Sequence, residues 1–257
     1  MRVSINKIGL VVVVATTFSL IFPSTGQTPS KGPIRTVLAL GRVSSLVDGP
    51  MSLKLSRVSI PAGATALYSG EHSALYLVLG SATVTVANDK RPLQKGEGTY
   101  LSPGTESTIQ AGADARAEFL HYQLVHSNDS SKTRVNTPAS VIDLHEMKLP
   151  AAGLKPGPYE FSMTRVTIPA GGAQPRPHTR SAAALYYVLA EGTITMWPSA
   201  TTDTIIGETR TEARPAGAIQ EEPYGFIHSW LPKSDTPLIL LQGNISQEGV
   251  PEIIFVK

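Results

Sequence analysis

The chain has 257 residues, a hydrophobic content of 41% and a formal net charge of +2, which is enough length for one large or two small cores. It has no cysteine, so disulfides, thiolate metal ligands and a cysteine nucleophile are excluded. The 22 glycines and 20 prolines indicate many turns and argue against long helices. No basic run follows residue 26, and nucleic acid is therefore not an expected partner.

Residues 1–26 have the pattern of a secretory signal peptide. Arg2 and Lys7 supply positive charge, an apolar stretch from Ile8 to Phe22 follows, and small residues precede Gln27. We therefore expect cleavage near Gln27 and an exported protein, periplasmic or extracellular. The alternative is an uncleaved membrane anchor, but the apolar run is shorter than the roughly 20 residues that span a bilayer. We expect no stable membrane anchor once the signal is removed.

The rest of the chain contains two copies of one unit. GPMSLKLSRVSIPAG (residues 49–63) matches GPYEFSMTRVTIPAG (residues 157–171) without a gap, and ALYLVLGSATVTV (residues 74–86) matches ALYYVLAEGTITM (residues 184–196). In both copies, short runs of alternating polar and apolar residues end at turn residues, as in antiparallel strands. The sequence therefore predicts an all-β protein built from two repeats.

The repeats divide the chain into four predicted parts. These are the signal peptide over residues 1–26, an N-terminal barrel over residues 27–126, a linker over residues 127–140 and a C-terminal barrel over residues 141–257. The linker is polar and has no periodicity, which is typical of a connecting segment.

Each repeat resembles a cupin, a small jelly-roll barrel that is also described as a double-stranded β-helix. In the second repeat, Gly217, Pro223, Gly225 and His228 fit the second cupin motif, G-x5-P-x-G-x2-H-x3-N, up to its last position. The resemblance covers roughly residues 34–257 and implies two tandem cupin barrels, a bicupin. Metal-dependent cupins hold one divalent ion with three histidines and a glutamate, so the resemblance also directs attention to those positions.

The first cupin motif, G-x5-H-x-H-x4-E-x6-G, is largely altered. Counted back from Gly192, its three ligand positions in the second repeat hold His178, Arg180 and Leu185, so one of the three ligands is present. In the first repeat no ligand of either motif is present, which implies a structural N-terminal barrel. The candidate site is therefore in the C-terminal barrel.

His178 and Arg180 are two residues apart on a strand, so their side chains point the same way into the barrel. The resemblance brings His228 in from a facing strand. The two histidines are candidate ligands of a single divalent ion (Mn, Fe, Zn or Ni), but such sites ordinarily need three or more protein ligands. Alternation turns Glu191 and Glu221 inward as further candidates, although solvated carboxylates are commoner. Because Arg180 cannot ligate a metal, the expected cofactor is either none or one such ion.

The leading interpretation is a metal-free pocket. Arg180 with His178 and His228 makes a positive site suited to a carboxylate or phosphate, and Tyr187 and Trp230 supply apolar walls. These five residues predict an exported bicupin that binds a small anionic or aromatic molecule, with its catalytic residues unknown.

Two other functions remain open. The resemblance also covers metal-dependent enzymes of dioxygenase, decarboxylase or hydrolase type, in which His178 and His228 would hold the metal. The third alternative is a structural or interaction protein with filled barrels, in which Arg180 pairs with a local carboxylate. A homodimer, formed by packing or by strand exchange, is compatible with this last alternative.

Overall fold

Antiparallel strands are the only regular secondary structure in the described part of the chain, as the alternating runs predict. The computed structural model describes residues 32–127, 134–136, 138–149, 154–172, 175–197, 199–200, 205–206, 209–233 and 235–256. The predicted signal peptide and half of the predicted linker lie outside these ranges. No helix within them is long and apolar enough to cross a membrane.

The strands follow one another closely in both halves of the chain. The first half contributes β1 (Ile34–Val43), β2 (Met51–Ile60), β3 (Thr65–Ser69), β4 (His72–Leu79), β5 (Ser81–Val86), β6 (Asp89–Gln94), β7 (Gly98–Leu101), β8 (Ser107–Ala111), β9 (Ala117–His126), β10 (Arg134–Val135) and β11 (Ser140–Lys148). The second half contributes β12 (Tyr159–Ile168), β13 (His178–Arg180), β14 (Ala183–Ala190), β15 (Gly192–Trp197), β16 (Ser199–Ala200), β17 (Ile205–Ile206), β18 (Arg210–Arg214), β19 (Ile219–Glu222), β20 (Ile227–Pro232), β21 (Leu238–Gln247) and β22 (Ile253–Phe255).

These strands form four five-stranded sheets and one small separate pair, β16 with β17. The first barrel consists of the sheets β10-β3-β8-β5-β6 and β11-β2-β9-β4-β7. The second barrel consists of the sheets β1-β12-β21-β14-β19 and β18-β15-β20-β13-β22. One apolar cluster, which includes Leu77 and Phe119, fills the first barrel, and another, which includes Val166 and Tyr186, lies inside the second.

The largest apolar cluster lies between the barrels and joins them into one compact unit. It contains Leu55 and Tyr122 from the first barrel and Phe161 from the second. The Tyr122 hydroxyl donates a hydrogen bond of 2.9 Å to the carbonyl of Leu241. Its ring lies so close to Gly243 that a Cβ atom there would be 2.3 Å from the ring carbon Cδ1. The lack of a side chain at residue 243 therefore allows the barrels to pack this closely.

The two barrels exchange strands: each includes the strand that precedes, in the sequence, the repeat that forms the other barrel. β1 precedes the first repeat but pairs with β12 of the second barrel, and β11 precedes the second repeat but pairs with β2 of the first barrel. The boundaries at residues 126 and 141 describe the repeats in the sequence, but they do not separate the sheets. The exchange brings residues of β1 to the second barrel, where they contribute to the site described below.

Candidate functional site

Two neighbouring strands of the second barrel bring four of the predicted site residues together. β13 carries His178 and Arg180 on its buried face, and β20 carries His228 and Trp230. His178 and His228 are register partners whose ring centroids are 4.4 Å apart. All four side chains are buried.

A buried carboxylate that the cupin motifs do not include lies among these four residues. Glu222 is the last residue of β19 and is completely buried. The Nε atom of Arg180 donates to its Oε2 at 3.0 Å, and Nε1 of Trp230 donates to its Oε1 at 2.9 Å. The Nε2 atom of His228 is 2.7 Å from the same Oε1, but it is not aligned for a hydrogen bond. Glu222 therefore contacts three of the four predicted residues.

The groups around Glu222 keep it ionised. Burial alone raises the pKa of Glu222, but the neighbouring His228 and Arg180, together with the hydrogen bonds it accepts, lower it to about 2. Burial alone also lowers the pKa of Arg180, and the neighbouring Tyr186, Glu222 and Glu252 raise it above its ordinary value. Arg180 and Glu222 therefore remain a charged pair at neutral pH.

Backbone carbonyls orient the two histidines. The Nδ1–H of His178 donates to the carbonyl of Arg176 at 2.9 Å, and that of His228 donates to the carbonyl of Phe226 at 3.3 Å. Burial, and then the neighbouring His228 and Arg180, lower the pKa of His178 to about 4. His178 is therefore neutral near pH 7, and its Nε2 atom is a hydrogen-bond acceptor.

A second carboxylate, Glu252, comes from the bend before the C-terminal strand β22. Its Oε1 atom accepts hydrogen bonds from Nη1 of Arg180 at 3.0 Å, Nη2 of Arg35 at 2.5 Å and Nε2 of Gln242 at 2.6 Å. Arg35 belongs to the exchanged strand β1, and Gln242 belongs to β21. Local sequence patterns could not place Arg35 at this site, because it reaches the second barrel only through the strand exchange.

A cavity of about 540 Å³ opens beside this network. Its polar lining side chains include those of Arg35, Arg176, His178 and Arg180, and its apolar ones include those of Val166, Ile168, Trp230, Leu240, Ile253 and Phe255. Arg176 lies with its guanidinium carbon 5.5 Å from the centroid of the Phe255 ring. The described lining residues include no aspartate or glutamate. The cavity is therefore mainly apolar, with cationic groups along part of its wall.

The expected pocket residue Tyr187 faces away from the cavity, and Tyr186 lines it instead. The Tyr186 hydroxyl accepts a hydrogen bond from Arg180, whereas the Tyr187 hydroxyl accepts one from Arg57 at 3.0 Å. Leu185 packs in the cluster between the barrels, so the position that matches the cupin glutamate does not face the barrel interior. Local alternation could not predict Tyr186 from Arg180, because β13 ends at Arg180, β14 begins at Ala183 and the two strands belong to different sheets.

Glu191 and Glu221, which the sequence predicted to point into the barrel, both lie at the surface, so that prediction is wrong. Glu221 pairs with His145 at 2.6 Å, and Glu191 pairs with Lys233 at 2.6 Å, with much of each carboxylate side chain exposed. The predicted orientation of Glu221 assumes that the alternation of β19 continues to Pro223, but the strand ends at Glu222. Glu222 therefore faces the interior and Glu221 does not.

The donor set does not complete a metal site as it is arranged. In the described part of the chain, no group of three or more histidine, aspartate or glutamate side chains could hold a metal ion. His178 and His228 offer two nitrogens, while the oxygens of Glu222 are engaged by Arg180 and Trp230. A guanidinium group this close would also repel a divalent cation. These residues therefore fit an ion pair better than they fit Mn, Fe, Zn or Ni.

The first barrel contains a buried histidine of a different kind. His121 is completely buried, and neither of its ring nitrogens has a hydrogen-bond partner in the described structure. Its ring packs edge-on against Tyr68, with the centroids 5.4 Å apart. Burial, and then the positive charge of Lys54, lower the pKa of His121 to about 3. His121 is therefore a neutral core side chain at physiological pH.

Comparisons with known proteins give matches among solved structures. No family model matches the sequence, and no curated protein matches it. A single-substitution variant of oxalate decarboxylase from Bacillus subtilis matches with a TM-score of 0.58 and 16% identity, over 84% of this chain and 79% of that chain. Oxalate decarboxylase from Lactobacillus farciminis, in a formate complex, matches with a TM-score of 0.54 and 15% identity, over 84% of this chain and 88% of that chain.

Identities this low carry information about the fold alone. Oxalate decarboxylases are bicupins, and the likeness extends over both barrels of this chain. Together with the two antiparallel barrels, it identifies the fold of the chain as that of a bicupin, as the resemblance implied.

Proposed function

We propose that the second barrel binds a small molecule through a carboxylate or similar anionic group in the 540 Å³ cavity. The charge of the cavity wall is the observation that carries the proposal. Arg35, Arg176 and Arg180 line the cavity, and no acidic residue is among the described lining residues. A guanidinium group offers planar pairs of donors that match a carboxylate.

Arg176 is the residue at which we place the ligand anion. Arg35 and Arg180 already share Glu252, and Arg180 also binds Glu222. Arg176 contacts the ring of an aromatic neighbour and has no ion pair with any residue that the structure describes. Its guanidinium group is therefore the lining cation with the most capacity left for an incoming anion.

Calorimetric titration with acetate and benzoate near neutral pH tests this proposal. We expect Arg176→Gln to weaken benzoate binding by about tenfold or more, because a hydrogen bond to a charged group contributes about 1.5–3 kcal/mol. Arg210→Gln is the matched control, since Arg210 is an exposed residue of the same barrel that does not line the cavity. Binding that is absent, or equally strong in both variants, would contradict the proposal.

The structural likeness favours a second candidate, a metal-dependent cupin enzyme of decarboxylase type, more than it favours the first. The neighbours are oxalate decarboxylases, and Mn(II) centres are described for the Bacillus subtilis protein. His178 and His228 are each held through Nδ1 by a backbone carbonyl, as metal-binding histidines commonly are. In this candidate Glu222 would be the third ligand, and it would have to give up its contacts with Arg180 and Trp230.

Elemental analysis of the protein purified without a chelator separates the two candidates. The enzyme candidate requires a nearly stoichiometric transition metal that is lost in the His178→Ala, His228→Ala double variant. The first candidate requires benzoate binding that persists in protein freed of metal and that depends on Arg176. Binding that appears only after a metal is added would favour the enzyme.

The expected export, homodimer and filled barrels also bear on the proposal. Export to the periplasm or beyond the cell rests on residues 1–26 and stays a prediction, as does a homodimer. Arg180 does pair with carboxylates, as the alternative with filled barrels expected. The 540 Å³ cavity beside it counts against a second barrel that is completely filled by side chains.

A further inference from the structure

We infer that the ligand of the second barrel is a monoanion with an apolar body, such as an aliphatic or aromatic monocarboxylate of about six to ten carbon atoms. This inference rests on the proposed function and specifies the class of molecule that the cavity selects. It follows from three features of the cavity: its fixed charges, the composition of its wall and its size.

Among the described residues, the guanidinium and carboxylate groups of the site leave one guanidinium group without an ion-pair partner. The cavity wall holds three guanidinium groups, those of Arg35, Arg176 and Arg180. Their carboxylate partners in the described structure are Glu222 and Glu252, both of which bind Arg180. A ligand with one negative charge therefore neutralises the site, whereas a dianion would bring one charge more than the free guanidinium can balance.

The wall that faces this charge is apolar. Val166, Ile168 and Leu240 come from β12 and β21, and Ile253 and Phe255 come from the C-terminal strand β22. Apolar surface of this kind gains free energy by covering hydrocarbon, and it gains nothing from a second carboxylate, which would lose its hydration there.

The size of the cavity separates a two-carbon acid from a larger one. A volume of about 540 Å³ is within the range of pockets that enclose small organic ligands. A molecule as small as oxalate or formate would touch Arg176 but leave most of the apolar wall without contacts. A longer body would reach from Arg176 along the wall and displace water from it.

The length dependence of binding tests the inference. We would titrate acetate, butanoate, hexanoate and benzoate, with oxalate and hexanamide as comparison ligands. Affinity is expected to rise about fourfold for each added methylene until the cavity is filled, because each buried CH₂ contributes about 0.8 kcal/mol. Hexanamide, which lacks the charge, should bind at least tenfold more weakly than hexanoate, and oxalate should also bind more weakly than hexanoate.

A pair of variants on β22 locates the apolar body. Phe255 lines the cavity, whereas its neighbour Ile254 does not, and both side chains are substantially exposed, so neither replacement should prevent folding. Because the Phe255 ring also contacts Arg176, Phe255→Ala should weaken acetate binding and should weaken hexanoate binding several-fold more, whereas Ile254→Ala should change neither.

The outcomes distinguish this inference from the proposed function. Binding that depends on Arg176 but is equally strong for acetate and hexanoate, or strongest for oxalate, would overturn the inference and leave the proposed function in place. If no carboxylate binds in a manner that depends on Arg176, the proposed function fails and the inference fails with it.

Discussion

Arg180 and Glu222 form an ion pair inside the second barrel, with their side chains 2% and 0% exposed and a distance of 3.0 Å between Nε and Oε2. The pair explains why a charged residue can occupy a position that holds a metal-binding histidine in cupins. Its carboxylate is supplied by the end of β19, and both charges are taken out of water together.

The first prediction concerns the stability that depends on this pair. Removing one partner leaves an uncompensated buried charge, which typically costs about 3–5 kcal/mol. We therefore expect Arg180→Met, which leaves Glu222 without an arginine partner, to lower the free energy of unfolding by several kcal/mol, and Glu222→Gln to lower it by less, because Arg180 keeps Glu252. The double variant should be less destabilised than the sum of the two, because it leaves neither charge unpaired. Urea unfolding of the three variants measures this coupling.

An exposed pair provides the control for that cycle. Arg42 and Glu248 are 2.9 Å apart, with side chains 70% and 44% exposed. Exposed ion pairs contribute at most about 1 kcal/mol, so Arg42→Met and Glu248→Gln should have small, additive effects. Strict additivity at Arg180 and Glu222 as well would mean that the buried pair contributes no more than the exposed one.

The sequence predicted the central residues of the site, because the patterns that place them lie within short stretches of the chain. Alternation along β13 placed His178 and Arg180 on one face, and the ungapped second motif brought His228 to them, although from the neighbouring strand of the same sheet and not from a facing one. Residues that reach the site through long-range pairing carry no such signal. Arg35 arrives on a strand exchanged between the repeats, and Glu252 arrives on a bend near the end of the chain.

The cupin motif spacing predicted the wrong face of β14 for two residues. The cupin spacing turned Leu185 inward, and Tyr187 was placed in the pocket as well, but both side chains contact the region between the barrels. Within β14, Ala184, Tyr186 and Val188 face the barrel interior, and Leu185 and Tyr187 face the other way. The family motif therefore located the barrel correctly but predicted the wrong face of this strand.

The second prediction concerns the dependence of stability on pH. The folded state holds His121 neutral with a pKa of about 3, well below the ordinary value of 6.5, so the unfolded chain takes up a proton first as the pH falls. The stabilisation is complete above pH 6.5 and is lost between pH 6.5 and pH 3. His178, with a pKa of about 4, acts in the same direction. Replacing His121→Leu should remove on the order of 3 kcal/mol of the decline between pH 7 and pH 4.

Urea unfolding at several pH values measures this slope. His121→Leu also removes two buried nitrogens that lack hydrogen-bond partners in the described structure, so the variant should be no less stable than the parent at pH 7. The control is His126→Leu at an exposed position of the same strand, which should leave the slope unchanged. Parallel pH profiles for the parent and His121→Leu would refute the burial argument.

The third prediction concerns the contact between the barrels. A methyl group at Gly243 would lie 2.3 Å from the ring of Tyr122, whose hydroxyl is fixed to the carbonyl of Leu241. Gly243→Ala should therefore lower the free energy of unfolding by about 1–3 kcal/mol through overpacking. Gly49→Ala is the matched control, because the nearest atom to a Cβ there is 3.5 Å away. Thermal and urea unfolding of both variants test this. Equal losses of stability would mean that Tyr122 can move aside and would contradict the prediction.

The fourth prediction concerns the carboxylate that the protein itself supplies to its cationic cavity, and it rests on the proposed function. Glu252→Gln removes the negative charge shared by Arg35 and Arg180, so these guanidinium groups become able to bind a second ligand carboxylate. The preference for glutarate over hexanoate should rise about tenfold in this variant, as the two dissociation constants measured by calorimetry would show. Glu248→Gln removes an exposed partner of Arg42 on the same strand as Arg35 and should leave the preference unchanged. An unaltered preference in Glu252→Gln would mean that these two guanidinium groups do not face the bound ligand, and the anion would then contact Arg176 alone.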